Sequence, residues 1–419
     1  MMKLAYSFFV LLIFAGCALQ DAQPNDTNQY VKFFGNANDE QANAILPTTD
    51  GGYLLIGSTK SFTTTNTEKA YVTKADANGN VQWFKTYGVT SADDASITVA
   101  RSAIQIANGN FLVLGEATLN DTTNFALYQI DGDGNVVGGV PQQFAISTKN
   151  DQGFYITQLA NGGYLLSGIT SSTVNSTSRD LKLIKIDDAG NTIFERSEGI
   201  SNAPDEITNV IEVTTDKGQD FLLSGTIKRG DAASAFTDLV VVRATENGLY
   251  RFAIPFGKFD NFNQQASQIT AFGKDFIIVG TTDANTNKDV YIVKVDVEVG
   301  TVREEHIVVP GQDNGDEEGV AIEPTADGGF IVAGTRTFVN GTATSSKAFL
   351  MKLDANFGVE WVKEYGDIGK DNTGLNSARF VQAIDGGAGG YLLLGTFTFA
   401  NNQVIGLVRT DSQGNTLSK

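Results

Sequence analysis

The chain has 419 residues and a formal net charge of −18 at pH 7, from 48 Asp and Glu against 30 Lys and Arg. Such a surface repels nucleic acid, whose binding depends on Lys and Arg neutralising phosphates, and it disfavours direct adhesion to anionic lipid. A hydrophobic content of 41% with 10% aromatic residues excludes wholesale disorder and supports a packed globular body. At the N-terminus, Lys3 is the only charge ahead of an apolar run, Leu4 to Phe14, interrupted only by Tyr6 and Ser7. That run is too short for a stable bilayer-spanning helix, which needs about 20 residues. A basic start, a short apolar stretch and a small-residue exit predict a secretory signal peptide over residues 1–16.

The exit, Phe14-Ala15-Gly16-Cys17, resembles the lipobox of bacterial lipoproteins, with Phe14 where that family usually has Leu. The resemblance implies that Cys17 becomes the first residue of the mature protein and carries covalent acyl chains. It further implies a cell-envelope protein held at the membrane by its lipid, most naturally the outer membrane. Cys17 is the only cysteine, so no intramolecular disulfide and no cysteine-rich metal site is available. The polar residues after it read as a linker, giving a lipidated cysteine and tether over 17–29 and one folded unit over 30–419.

Within that unit one pattern recurs seven times. Its anchor is an aromatic-plus-aliphatic run ending in glycine: Tyr53 to Gly57, Phe111 to Gly115, Tyr164 to Gly168, Phe221 to Gly225, Phe276 to Gly280, Phe330 to Gly334 and Tyr391 to Gly395. The terminal glycines lie 58, 53, 57, 55, 54 and 61 residues apart. A continuous apolar run between turn signals predicts a strand covered on both faces, and the glycine predicts a close backbone approach or a bend. Each run is followed by a polar loop, another strand and a tight turn. That turn is Asp76 to Asn80, Asp131 to Asn135, Asp187 to Asn191 and Asp411 to Asn415, with degenerate forms at Asn247-Gly248, Val299-Gly300 and Phe357-Gly358. Asp and Asn brace such turns and Gly supplies positive φ. Asp131-Gly132-Asp133-Gly134-Asn135 resembles the start of a calcium loop, but the distal Glu and flanking helices of that motif are absent, and the sister turns lack the extra carboxylate of Asp133 at the third position.

Four strands per unit of about 55 residues predict an all-β fold, a seven-bladed β-propeller of four-stranded blades. The phrases Val81-Gln82-Trp83-Phe84-Lys85-Thr86-Tyr87-Gly88 and Val359-Glu360-Trp361-Val362-Lys363-Glu364-Tyr365-Gly366, with the Asp-Gly-Gly-Tyr/Phe turns, resemble the repeats of propeller lipoproteins from the Bacteroidota and related bacteria. Blade seven ends at Lys419, where its outer strand should begin, and Tyr30 to Gly35 aligns with Trp83 to Gly88. The N-terminal segment is therefore expected to supply that strand and close the ring, leaving only short, protected edges.

Strand order also sorts the loops. Those joining strands one–two and three–four share one face and are tight; those joining two–three and successive blades share the other and are long, as in Ser58–Lys69, Thr170–Asp180, Ile227–Asp238 and Thr335–Lys347. Long loops on a rigid ring are where binding normally resides. The blade-to-blade crossovers carry Asp39, Asp94, Asp151, Asp205, Asp260, Asp316 and Asp371 at intervals of 54 to 57 residues, often beside Glu40, Asp93, Glu206 or Glu317. These would encircle one mouth of the axial channel, as a collar for a cation or a basic partner, or as solvated turns that cap strands.

The sequence offers little for catalysis. Its single histidine, His306, lies in the outer strand expected for blade five, without the further His or Cys ligands of a zinc site or the nucleophile of a hydrolytic triad. No phosphate-cradling Gly-x-x-x-x-Gly-Lys motif occurs. A pair of carboxylates at glycosidase spacing cannot be picked out among 48 acids. The expectation is a non-catalytic envelope scaffold, without a cofactor, binding a protein partner or a glycan through its long loops. The alternative is a carboxylate-dependent propeller enzyme acting on polysaccharide, which would gather aromatic side chains at the channel mouth. The long loops instead scatter Phe62, Phe236, Phe338 and Phe399 among Ser, Thr and Asn.

Overall fold

The structure, a computed structural model, describes residues 30–416 apart from 37, 63–65, 92–93, 145–149, 172–178, 199–204, 216–217, 229–235, 257–261, 286, 297–299, 311–314, 341–342, 366–374, 388–389 and 400–401. The described residues form twenty-eight strands, β1 to β28 in chain order, and no helix. Each of six blades is a meander of four consecutive strands, beginning with β2 (Glu40–Pro47), β6 (Ile97–Gln105), β10 (Asn150–Gln158), β14 (Asp205–Thr215), β18 (Gln264–Phe272) and β22 (Asp316–Pro324). The seventh is β26 (Leu375–Gly387), β27 (Gly390–Phe399), β28 (Asn402–Arg409) and, from the other end of the chain, β1 (Tyr30–Phe34). β1 runs antiparallel to β28 from Tyr30 opposite Arg409 to Phe34 opposite Ile405, so the expected seven-bladed ring is closed by its N-terminal strand.

Seven apolar clusters hold the ring, one in each seam between adjacent blades. This is why the second strand of each blade carries a largely apolar run before its glycine. In β3 (Tyr53–Thr59), Leu54 and Ile56 enter the seam with blade two, while Leu55 enters the seam with blade seven. Alternating side chains therefore serve two cores, and buried polar residues such as Ser167 and Ser224 on these strands are small.

The repeated glycine has a packing reason. Every inner strand carries a β-bulge, and the residue just before it pairs with that glycine: Ala42 with Gly57, Ala100 with Gly115, Gly153 with Gly168, Ile207 with Gly225, Ala266 with Gly280, Gly319 with Gly334 and Phe380 with Gly395. A methyl on Gly57, Gly115, Gly168 or Gly280 would be driven into the carbonyl oxygen of Gln41, Val99, Gln152 or Gln265 on the bulged strand. The bulge bends the inner strand toward its neighbour, and only a residue without a Cβ admits it.

The Trp-x-Lys-x-Tyr-Gly phrase and the Asp-x-x-Gly-Asn turn are two halves of one clasp between blades. From β5 (Val81–Tyr87) in blade one, Trp83 Nε1 donates to the Gly132 carbonyl at 2.8 Å, Tyr87 donates to Gly134 at 2.9 Å, and Lys85 donates to Asn135 Oδ1 at 2.6 Å, all in the next blade's turn. Tyr365 repeats this on Gly414 at 2.6 Å, and in the closing strand Tyr30 and Lys32 pack on Gly79. In blade five the register puts Glu304 and His306 where blade one has Trp83 and Lys85. The facing turn then has Phe357 in place of glycine, at φ 63°, with its ring 4.7 Å from His306 and stacked on Phe330. A smaller outer-strand residue is matched by a larger turn residue.

One expected loop is a strand. Thr335–Lys347 is mostly the paired arms of β23 (Phe330–Asn340) and β24 (Ala343–Leu353), with the Thr337 and Ser346 hydroxyls 3.0 Å apart. Blade two departs as well: its β7 (Phe111–Leu119) and β8 (Thr122–Ile130) meet in a two-residue turn, Asn120-Asp121, with both φ positive. Of the other expected loops, the described residues between Thr59 and Lys69 form no strand, while Thr170–Asp180 and Ile227–Asp238 lie largely outside the described residues.

Candidate functional site

The long-loop face begins where each inner strand begins, and the acidic collar was expected there. Among the described residues its members do not share one position. Counting back from the glycine pairing, Asp39 and Asp316 are equivalent, Asp151 and Asp205 stand one residue later, and Asp94 lies three residues before the Asp39 position. Asp260 and Asp371 lie outside the described residues, as do Asp93, the Cys17 anchor, the signal segment and the linker; of Asp205 only the backbone is described.

The carboxylates that are described are engaged. Asp94 binds the Lys69 ammonium at 2.8 Å, and Lys69 has no exposed surface and also donates to the Asp94 and Ser96 carbonyls. Burial works to raise the Asp94 carboxyl, but Lys69, Ser96 and the Thr90 N–H together hold it well below the usual carboxylate range. Asp151 is fully buried against Lys182, which is also fully buried and reaches Glu195 at 2.8 Å with Phe125 beneath it. Asp39 accepts from the Gln403 N–H at 3.3 Å and faces Lys60 at 3.8 Å, and Asp316 accepts from the Lys288 N–H at 3.0 Å. Beside Asp316, Glu317 is fully buried 2.7 Å from Arg336; burial, then Asp289, Asp316 and Glu364, push it up to about 7. Among the described residues no group of three or more His, Cys, Asp or Glu gathers to hold a metal ion.

The tight-turn face uses its acids in the same way. Asp50 of the Asp-Gly-Gly turn accepts from Lys74 at 2.8 Å, from Thr48 and from the Gly52 N–H; the Lys74 and Thr48 bonds lower it to about 2. Asp327 repeats the arrangement with Lys352 and Thr325, also at about 2. Both Asp131 oxygens are taken by hydrogen bonds from Asp133 and Asn135 inside its own turn, as in the sister turns at Asp76, Asp187 and Asp411.

The inner-strand wall holds functional groups that the sequence did not single out. Glu323 in blade six accepts from Gln268 Nε2 at 3.1 Å, and Gln268 Oε1 accepts from the Ile322 N–H at 2.7 Å. Burial raises Glu323 above the usual range, and its charge adds to the burial that raises Tyr155 of blade three, across the axis. Arg101, on the bulge of blade two, pairs with Glu116 at 2.6 Å and lies over the Phe154 ring. A lone Glu at an inner-strand position held by Leu46, Ile104 and Ile211 in other blades was the available signal, but it needs the bulged register to be seen.

No family model matches the chain, and no curated protein matches it. Solved structures similar in backbone include a protein of unknown function from Bacteroides caccae, at 13% identity over 75% of this chain and 94% of that one, with a TM-score of 0.43. The NanB sialidase of Streptococcus pneumoniae overlaps at 9% identity over 94% of this chain and 72% of that one, TM-score 0.47. The α-L-arabinofuranosidase Arb93A of Fusarium graminearum overlaps at 13% identity over 74% and 92%, TM-score 0.43.

Proposed function

We propose that the chain is a lipid-anchored envelope protein whose propeller is a non-catalytic scaffold, taking a protein partner or a glycan on its long-loop side. The observation that carries this reading is the closing strand. β1 begins at Tyr30 beside Arg409, at the tight-turn end of blade seven, so the segment leading back to Cys17 leaves from that face. Residues 18–29 reach at most roughly 40 Å at about 3.3–3.6 Å per residue, which turns the tight-turn face to the membrane and the long loops outward. Engagement of the described collar carboxylates in ion pairs and caps supports a structural use for them. Labelling with a fatty-acid analogue tests the anchor: wild type should incorporate label and Cys17→Ala should not, and should leave the membrane fraction. An unlabelled wild type would overturn it.

A second reading, hydrolysis of a polysaccharide, draws on Glu323, a carboxyl with a raised pKa beside the channel axis and near Tyr155. Its test is release of reducing sugar from envelope polysaccharides, abolished in Glu323→Gln.

A further inference from the structure

Blade two differs from its sisters on the outside of the ring. After its tight turn the outer strand does not start at once, as it does at Val81, Thr192 or Val359; β9 (Gln142–Phe144) begins only after the insert Val136–Pro141 and is three residues long. The insert touches β8 through a bridge from Val136 to Ile130 and a bond from the Val137 N–H to the Gln129 carbonyl, then swings away through Gly138 and Gly139, both at positive φ. An open-sided cavity of about 230 Å³ is left between the insert and β5 with the crossover that follows it. It reaches from the blade-two turn to the crossover on the long-loop side.

The walls of this cavity have a definite chemistry. Thr86, Thr90 and Ser91 bring hydroxyls, Gly88, Gly134 and Gly139 leave backbone bare, and Val89, Val136 and Pro141 give an apolar floor. Lys85 lines it with its ammonium bonded to the neutral Asn135 Oδ1. Among the described residues no carboxylate lies within ion-pairing distance of Lys85, whereas Lys69, Lys74, Lys182, Lys294, Lys347 and Lys352 each have one. Asp94 accepts from the Thr90 and Ser91 N–H groups behind the cavity, and so fixes the shape of its crossover wall.

We infer that this cavity is a subsite for a carboxylate-bearing sugar residue, a hexuronate in an acidic polysaccharide, with Lys85 meeting the carboxylate. A single ammonium is a point charge that matches the one negative charge of a carboxylate, whereas the second charge of a phosphomonoester would go unmatched here. Hydroxyls and bare backbone suit ring hydroxyls, and the apolar floor suits the C–H face of a pyranose. The volume corresponds to roughly eight waters at about 30 Å³ each, a single sugar rather than a chain, and the open side lets the chain continue. Of the acids beside the cavity, Asp94 is paired with Lys69 and Asp131 is bonded inside its own turn beside Lys85, and charges beyond about 8 Å are largely screened at physiological salt. This rests on the scaffold reading above and names the glycan in it.

Calorimetric titration of the purified full chain with a trimer of galacturonic acid, and with a neutral galactose trimer, tests the inference. Saturable binding of the acidic trimer is expected, at least about tenfold tighter than the neutral one. Lys85→Met should remove that preference while the melting temperature stays within about 3 °C, and Lys85→Arg should keep it. Absence of binding by wild type, equal binding of both trimers, or an acidic preference that survives Lys85→Met with the fold intact would each overturn the inference. Cys17→Ala should leave the titration unchanged, so loss of the anchor reading and loss of the subsite are read separately.

Discussion

At the scale of single residues, much of the sequence is spent on fitting backbones together and neutralising buried charge. Gly57 needs room rather than an unusual φ, so Gly57→Ala should cost about 1–3 kcal/mol, read as a lower urea midpoint. Gly132 has nothing near its missing side chain, and Gly132→Ala should stay within about 0.5 kcal/mol. Asp151→Asn leaves Lys182 buried with only Glu195 for a charge partner and should cost about 3–5 kcal/mol. The lowered carboxyls Asp50, Asp94 and Asp327 set the acid limit. Folding lowers them, so they stabilise in full above about pH 4 and that contribution is lost as pH falls toward 2. The melting temperature should drop across that window, and Asp94→Asn should flatten part of the drop. The glycines were legible from the sequence because they end each apolar run. The carboxylates were not: a recurring Asp near every 55th residue says nothing of the lysine it meets, and a one-residue offset separates Asp39 from Asp151.

At the scale of elements, the clasp explains two phrases that the sequence showed only as repeats. Both were visible, but their pairing across a seam was not, since Trp83 and Gly132 are joined only when blades one and two stand side by side. The variant clasp of blade five gives a direct test. Glu304→Trp alone should destabilise, because Phe357 already fills the seat, and Phe357→Gly alone should leave that seat empty. Combined, they rebuild the arrangement of blade one, and a double-mutant cycle should show a favourable coupling of about 0.5–3 kcal/mol. Thr335–Lys347 was hidden for another reason. Ser, Thr and Asn read as loop, yet β-branched Thr335, Thr337, Val339 and Thr344 fit a paired ribbon well.

For the whole molecule, the number of blades and the closing strand were readable because the one strand missing from the pattern, the outer strand of blade seven, had an obvious candidate at Tyr30–Gly35. Its removal supplies the test. A chain lacking residues 18–35 exposes the edge of β28 and the seam holding Tyr30 and Phe34, and should lose several kcal/mol of stability. A chain lacking only 18–27 should melt as wild type does. Equal melting temperatures for the two would remove the closing role from β1.

The closing strand also sets an order in time. β1 is the first strand to emerge during synthesis, and its partner β28 is among the last, so the ring cannot be completed until nearly the whole chain has been made. Joining ends so far apart in sequence carries a loop-closure entropy of about 5 kcal/mol if nothing between them has folded, and much less once six blades have assembled and brought the ends together. Local hairpins and blades are therefore expected to form early and the seam to shut late. Until then β28 has an unpaired edge and β1 a free one, and a second chain arriving in that interval could supply the strand that the first has not yet placed. An N-terminus held at a membrane would keep β1 close to its own ring and lower the odds of that exchange.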